Sequence, residues 1–314
     1  MSGRDLVWVN STKSGIGDRL IDFYLMLSLA KVNNSCLNLI WELQDSYTEN
    51  QINVWNEYRF HDYKIENLIQ YFRLAHKVKF LKKIEANENA IFFNDYLGGV
   101  HSIKSFYQKY CKDSCSFSYF SQIFFNELSA FKPKKKLINI IEKNLCIDIA
   151  VHLRRGDKLS YRPDKMQIKF KELNSLNAKT YEAIQTVYKN NISSRKLNLF
   201  IASDDQNVKM TYIEKFKNKF NIVGIHNVEG IELTYLDLYY LSISKTIIMS
   251  MRHSNFSLFA SYLNCNRLVY FYKSNKILSN SGLSNAVLFK PSNKILLNII
   301  LYKFIKMQII WGKE

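Results

Sequence analysis

The chain has few of the residues that interrupt or cross-link a polypeptide. Among its 314 residues, 10 are Gly, 3 are Pro and 5 are Cys. So little Gly and Pro, together with 47% hydrophobic residues, excludes a disordered or low-complexity chain and indicates a globular fold. The cysteines form no even framework and no zinc-binding pattern, so we expect a reducing compartment, with a local disulfide between Cys111 and Cys115 left open.

The chain also lacks the apolar segments that target or anchor a protein. Residues 1–10 have no basic head followed by an apolar core, so no signal peptide is predicted. No segment offers the roughly 18 consecutive apolar residues that a membrane-spanning helix needs. We therefore expect a cytoplasmic protein that is soluble or peripheral on a membrane.

Acidic residues are scarce relative to basic ones. Lys and Arg number 44 against 27 Asp and Glu, which gives a formal charge of +17. An excess of this size attracts polyanions such as nucleic acid, anionic membranes or phosphorylated substrates. The basic residues are scattered along helical segments, as on an ordinary solvated surface, and are not clustered with stacking aromatics. A nucleic-acid partner is therefore not expected.

Short β-branched runs alternate with longer segments of helical period. The alternation starts as a βαβ unit in residues 6–42 and resumes after residue 135, where a helix is predicted over residues 135–144. This pattern predicts the α/β class, with parallel sheets covered by helices on both faces. Residues 45–130 between the two runs are rich in aromatics and less regular.

The two runs predict two Rossmann-like α/β domains that face a cleft. The segment FKPKKK, residues 131–136, is the best candidate linker. We expect an N-terminal, acceptor-side domain over 1–134, a nucleotide-sugar-binding domain over 135–290, and a C-terminal helix over 291–314 that packs back across the domains. Ligands bind beyond the carboxyl ends of strands in such sheets, so the cleft is the expected site.

A glycine-containing loop, KSGIGDRL, follows the first predicted strand and opens a helix. Gly15 and Gly17 permit tight turns and close backbone approach, and the N-terminus of a helix attracts anions. The loop fits a phosphate contact, but it fits equally well a turn that needs glycine for its geometry.

The stretch LCIDIAVHLRRGDKL carries an apolar strand that ends in charged residues. Two adjacent arginines at the carboxyl end of a strand can hold a diphosphate, because guanidinium groups match phosphate oxygens. Side chains alternate along a strand, so His152 and Arg154 should point to one side and Arg155 to the other. Asp157 could orient an arginine. The alternative is a structural ion-pair cluster.

Two further stretches place polar residues at predicted strand-to-helix turns. Asp204 and Asp205 could bind a metal or a ribose, although Asp is also a preferred helix N-cap. Asp237 is expected to open a helix. The strand-to-helix turn near residue 254 carries Ser254, Asn255 and Ser257, whose hydroxyls and amide could contact a phosphate or ribose. The alternative is that Ser254 serves as the N-cap of the following helix.

In this order, the pieces resemble the superfamily of α1,2-, α1,6- and protein O-fucosyltransferases. SGIGDRLIDFYLMLSLAK resembles their N-terminal loop and amphipathic helix, VHLRRGDKL resembles the peptide His-x-Arg-Arg-x-Asp, and DLYYLSISKTIIMSMRHSNFSLFASYLN resembles their third motif. The resemblance covers the first 40 residues and most of residues 145–265, but neither the aromatic middle region nor the tail.

The resemblance implies a GT-B arrangement, GDP-fucose as donor, inversion at the anomeric carbon, a glycan or glycolipid acceptor, and neither metal nor cofactor. By position, Arg154 would neutralise the β-phosphate of the departing GDP, with Asp157 holding it and Arg155 supporting the site. His152 and Asp237 would contact the guanosine. The residues expected to line the rest of the donor are Gly15, Gly17, Asp18, Asp204, Ser254, Asn255 and Ser257.

Several points remain open at the level of sequence. Asp18 and Asp164 are both candidates for the general base that an inverting transfer needs. Arg19 stands where many relatives carry Gln, which leaves another GDP-sugar open. A catalytically silent relative or a basic binding protein is the alternative to an enzyme.

The tail combines apolar residues with interspersed lysines. A helix over residues 293–311 would carry Lys294, Lys303 and Lys306 among apolar side chains. Such a helix could lie on an anionic membrane, or it could pack across both domains.

Overall fold

The computed structural model describes residues 6–9, 15–41, 65–74, 78–80, 91–93, 103–154, 166–190, 195–225, 228, 230–250, 254–264, 267–270 and 286–288. The strands are β1 (Leu6–Val9), β2 (Leu37–Ile40), β3 (Phe72–Arg73), β4 (Val78–Phe80), β5 (Ile91–Phe93), β6 (Lys132–Pro133), β7 (Ile149–Leu153), β8 (Asn198–Ser203), β9 (Asn221–Ile222), β10 (Thr246–Met249), β11 (Arg267–Tyr270) and β12 (Ala286–Leu288). The helices are α1 (Ile16–Val32), α2 (Ile65–Tyr71), α3 (Ile103–Tyr110), α4 (Phe117–Leu128), α5 (Lys135–Ile138), α6 (Met166–Asn190), α7 (Gln206–Phe216), α8 (Gly230–Ile243) and α9 (Asn255–Asn264).

The first sheet contains four parallel strands in the order β4-β2-β1-β5. Helix α1 connects β1 to β2, which confirms the predicted βαβ opening. On the central strand β1, Trp8 lies opposite Leu39 of β2 and Phe93 of β5. The chain order of this sheet reverses beside β1, between β1 and β5.

The second sheet contains six parallel strands in the order β12-β11-β10-β7-β8-β9. When these six strands are numbered by their order along the chain, their order in the sheet is that of a doubly wound Rossmann fold. The direction in which successive strands are added reverses between β7 and β10. Side chains of β7 alternate: Ile149, Val151 and Leu153 pack with α6 and α7, whereas Ala150 packs on the opposite face. The two sheets confirm the predicted α/β class with Rossmann-like parallel sheets.

One continuous hydrophobic core joins the two sheets. Side chains of β1 and α1 pack in it with those of α8 and α9. The ring of Tyr24 on α1 stacks on Phe259 of α9 with centroids 6.1 Å apart, and Phe259 also contacts Phe131 at 5.3 Å. The aromatic middle region of the sequence also supplies part of this core, through Phe106, Phe120 and Phe124.

Helix α1 is buried on nearly all sides and is not the amphipathic helix that was expected. It packs against α4 and α9 as well as against its own sheet, so it has no wide face left for solvent. Even Arg19 and Asp22 are only 1% and 2% exposed, and the guanidinium of Arg19 lies 5.8 Å from the centre of the Trp41 ring.

The region around residue 135 also differs from expectation. The helix predicted over residues 135–144 is wrong beyond its first turn, because α5 ends at Ile138 and Asn144 adopts a left-handed φ of 58°. The predicted linker contains β6, which pairs antiparallel with β3.

Cys111 and Cys115 are free thiols, so the disulfide left open by the sequence is absent. The domain boundary at residue 134 stays a prediction, and residues 291–314 lie outside the described residues.

Asp148 holds together three segments at the start of β7. Its Oδ1 accepts hydrogen bonds from Arg195 Nη2 and Lys245 Nζ, both at 2.8 Å, and its Oδ2 accepts one from the backbone N–H of Asn198 at 2.9 Å. Burial raises the pKa of the carboxyl, but the bonds from Lys245, Asn198 and Arg195 outweigh it and leave the pKa below its ordinary value.

We expect the substitution Asp148→Asn to lower the free energy of unfolding by about 2 kcal/mol at neutral pH, because two cations lose their charged acceptor. Since the folded pKa is depressed, the wild-type contribution is present above the unfolded carboxyl pKa of about 4 and is lost as pH falls through the folded pKa. Denaturant unfolding at several pH values measures both effects.

The exposed pair Lys217–Glu214, with Nζ and Oε2 2.5 Å apart, provides the control. Glu214→Gln should change the free energy of unfolding by less than about 0.5 kcal/mol, because solvent screens an exposed ion pair. Equal losses in the two variants would show that Asp148 is an ordinary surface carboxylate.

Candidate functional site

Several of the predicted site residues lie at the point where the strand order of the second sheet reverses. His152 is paired in register with Met249 of β10, and the hydroxyl of Ser250 donates to the His152 carbonyl at 2.7 Å. Helix α9 begins just after β10, so its N-terminus lies at the same edge of the sheet as the end of β7. We call His152, Arg154, Ser254 and Ser257 the switch-point site.

The His152 side chain points toward α9 and is held there by two serines. Its Nδ1 lies 2.7 Å from Ser257 Oγ and 2.9 Å from Ser254 Oγ, and the two hydroxyl oxygens are 3.2 Å apart. The imidazole also packs against the Phe256 ring, with centroids 5.1 Å apart. All three polar side chains are less than a tenth exposed. The hydroxyls of Ser254 and Ser257 therefore orient His152, a role that the sequence did not indicate.

Arg154 follows β7 directly and is half-buried. It stands two residues after His152, so an extended backbone points both side chains to the same side of the sheet. Arg155, Asp157 and Asp164 lie in residues 155–165, outside the described part of the chain. The roles expected for those three residues stay predictions.

Gly17 brings the N-terminus of α1 against the N-terminus of α9. A Cβ atom at Gly17 would lie 2.4 Å from the backbone nitrogen of Phe256 and 2.6 Å from the carbonyl carbon of Asn255. Real Cβ contacts are never this short, so only glycine fits. Gly15 is the N-cap of α1, with φ −67° and ψ 167°, a conformation open to any residue. The need for Gly17 is thus explained by helix contact and not by a turn.

Asp18 and Asn255 join the two halves of the chain by a direct hydrogen bond. The Asn255 side-chain amide donates from Nδ2 to Asp18 Oδ1. Asp18 is on α1 beside the first sheet, and Asn255 is the first residue of α9 beside the second. Asp18 and Asn255, which were predicted as site residues from two separate stretches of the sequence, are therefore in contact beside the switch-point site.

The neighbouring strand β8 ends in a turn that is fixed by capping. Ser203 donates from its hydroxyl to the Leu153 carbonyl at 2.9 Å. Asp205 accepts the Val208 N–H at 3.1 Å and is the N-cap of α7, which confirms the capping interpretation for one of the two aspartates. Asp204 is exposed beside it, and its role in donor binding stays a prediction.

Asp237 was expected to open a helix, but in the structure it lies inside one. Helix α8 starts seven residues earlier, at Gly230, whose φ of 66° suits glycine. Asp237 is consequently buried, with 7% of its surface exposed. Burial raises the pKa of its carboxyl to about 7, with attraction by Lys209 lowering the pKa and repulsion by Asp204 raising it further.

Lys209 is a buried residue near the site that the sequence reasoning missed. It lies on α7 and is 7% exposed. A signal was available, because Lys209 falls on the apolar stripe of α7 that Tyr212, Ile213 and Phe216 continue. A lysine in such a stripe is a departure from ordinary helix patterning.

The described residues contain no group of three or more His, Cys, Asp or Glu side chains arranged to hold a metal ion. Among the same residues, no helix is both long and apolar enough to cross a membrane.

The chain is thus a doubly wound α/β protein in which polar side chains and two helix N-termini meet at the switch point of the larger sheet. No protein-family model matches it, and no curated protein matches its sequence. Its structure is similar to that of the fucosyltransferase NodZ from Bradyrhizobium, with 16% identity, 88% of this chain and 97% of that chain covered, and a TM-score of 0.48.

Two other solved structures are similar at the same level. The complex of Arabidopsis thaliana FUT1 with GDP has 13% identity, covers 87% of this chain and 71% of that chain, and has a TM-score of 0.45. The match to POFUT1 in complex with GDP has 12% identity, covers 86% of this chain and 99% of that chain, and has a TM-score of 0.45. None of the three scores reaches 0.5, so the roles of the residues rest on this chain's own geometry.

We expect Gly17→Ala to lower the free energy of unfolding by about 1 to 3 kcal/mol, because the added methyl group must push α1 away from the α9 backbone. Denaturant unfolding measures the loss. Gly15→Ala is the matched control and should change stability by less than about 1 kcal/mol. A Gly17→Ala variant as stable as the control would refute the tight contact.

We expect Asp237→Asn to raise the free energy of unfolding above about pH 7, by up to about 4 kcal/mol. The folded pKa lies above the unfolded one, so the wild type loses stability as pH rises from about 4 to about 7 and the buried carboxyl ionises. The amide avoids this cost. Unfolding across that pH range should show a difference that grows with pH, whereas Asp205→Asn, which keeps a helix cap, should show little change.

Proposed function

We propose that this protein is an inverting, metal-independent glycosyltransferase that moves L-fucose from GDP-fucose to a hydroxyl group of a glycan. The observation that carries the proposal is the meeting of α1 and α9 at the switch point, beside the end of β7 with His152 and Arg154. Doubly wound sheets bind nucleotides at this point. The three sequence motifs that resemble fucosyltransferases fall on these same elements.

The arrangement suits a diphosphate. The N-termini of α1 and α9 both present positive potential, and the backbone N–H groups of a helix start can bind phosphate oxygens. Arg154 adds a charge that does not titrate near neutral pH. Ser254 and Ser257 support the site by orienting His152, and Asn255 supports it by holding Asp18.

The chemical step breaks the bond between the sugar's anomeric carbon and the β-phosphate oxygen. The acceptor oxygen attacks that carbon from the opposite face, and the bonding electrons leave with the diphosphate. Negative charge grows on the diphosphate in the transition state, and a fixed guanidinium at Arg154 stabilises that charge. This is the electrostatic role that a metal ion plays in other glycosyl transfers.

The acceptor hydroxyl must also lose its proton. Asp18 accepts a hydrogen bond from Asn255, the first residue of α9, and this bond fixes the orientation of its carboxylate. A carboxylate held in this way can serve as general base. Asp164 is the alternative base, and activity of Asp18→Asn compared with Asp164→Asn distinguishes them.

The identity of the nucleotide is tested by calorimetry with GDP, UDP, ADP and CMP. We expect binding of GDP in clear preference to the other three. Preference for another nucleotide would overturn the GDP assignment. A protein that binds GDP but turns over no GDP-fucose with a panel of acceptors would be a silent relative of the transferases.

We expect Arg154→Ala to reduce the transfer rate by about 100-fold or more, because the leaving diphosphate loses its fixed charge. Its melting temperature should stay close to that of the wild type, since Arg154 is only half-buried. Arg154→Lys should keep part of the activity by restoring the charge without the guanidinium fork. Transfer at the wild-type rate in Arg154→Ala would remove this residue from the mechanism.

A further inference from the structure

Lys209 and Asp237 are two buried residues of opposite charge, and among the described residues neither has a hydrogen-bond or ion-pair partner. Each is 7% exposed. Lys209 nevertheless attracts the Asp237 carboxylate electrostatically. Burying a charge is costly unless it is paired. Two such charges close together, yet not in contact, indicate a place for a group that bonds to both.

The surroundings hold the two side chains on the same side of the sheet. The Lys209 ammonium lies 5.9 Å from the centre of the Phe200 ring, and Phe200 faces α8, the helix of Asp237. The Phe200 ring in turn contacts the Tyr240 ring, with centroids 5.2 Å apart, one turn after Asp237 on α8. Lys209 thus reaches from α7 to the face of the sheet that carries Asp237.

Phe200 itself is held by a close backbone approach. A Cβ atom at Gly224 would lie 2.7 Å from the edge of the Phe200 ring, and the φ of Gly224 is 69°, so glycine is needed there. The Phe200 ring, which lies beside the Lys209 ammonium, therefore packs directly against the backbone at Gly224.

The chemistry of the pair selects its ligand. An ammonium only donates hydrogen bonds, and a carboxylate only accepts them. The matching ligand edge must carry an acceptor beside one or more donors. Guanine has this pattern, with O6 as acceptor and N1–H and the 2-amino group as donors, whereas adenine carries a donor at position 6 and an acceptor at N1.

The family resemblance implies that Asp237 accepts hydrogen bonds from guanine nitrogens, and we propose that Lys209 donates a hydrogen bond to O6 of the same base. Lys209 then joins Asp237 in distinguishing guanine from adenine. The inference rests on the proposed GDP-dependent function and adds a specificity residue to it. Its position supports this role, because α7 begins at the end of β8, next to β7 and the switch-point site.

The test compares GDP with 6-thio-GDP, which keeps N1–H and the 2-amino group but replaces O6 with a poorer acceptor. Calorimetry on the whole chain should show that the wild type binds GDP about 10-fold or more tightly than 6-thio-GDP. Lys209→Met should lose about 10- to 100-fold in GDP affinity and should bind the two nucleotides almost equally.

Lys215→Met provides the matched control on the same helix. Lys215 is exposed and lies 3.6 Å from the centre of the Tyr181 ring, so its loss should leave both affinities unchanged. Equal wild-type affinities for GDP and 6-thio-GDP would overturn the inference without any variant. So would a Lys209→Met variant with the wild-type ratio of the two affinities. Failure of the wild type to bind GDP would instead overturn the proposed function.

Discussion

The contact between the first turn of α1 and the first turn of α9 is the constraint on which the rest of the structure depends. At Gly17 the two backbones approach so closely that no side chain fits. The contact aligns two helix N-termini, continues the core from one sheet to the other and allows Asn255 to reach Asp18. The switch-point site is therefore built by helix packing, and its polar residues occupy positions that this packing provides.

Carboxylates in this protein show how environment decides a role. Asp148 has three hydrogen-bond donors and a lowered pKa, so its charge stabilises the fold. Asp237 is also nearly buried but has a raised pKa and no hydrogen-bond partner among the described residues, so its charge costs stability. A cost of this kind persists where a group serves binding or catalysis. The contrast separates a structural aspartate from a functional candidate.

Much of the fold could be predicted because the relevant signals are local. Alternation of short apolar runs with helical segments identified β7, β8, β10 and their helices, and the capping chemistry of Asp205 lies within one turn. The start of α8 was missed because Gly230 is the only boundary signal, and the burial of α1 was missed because its apolar stripe does not reveal how many neighbours cover it.

The sequence by itself determined which residues end the central strand, so it placed His152 and Arg154 at the edge of the sheet that binds ligands in doubly wound folds. Only the tertiary structure decided what those residues and their neighbours contact. Ser254 and Ser257 lie about a hundred residues from His152, and Asn255 lies 237 residues from Asp18. Side-chain period and helix capping act within about four residues, whereas such contacts follow from sheet order and helix packing.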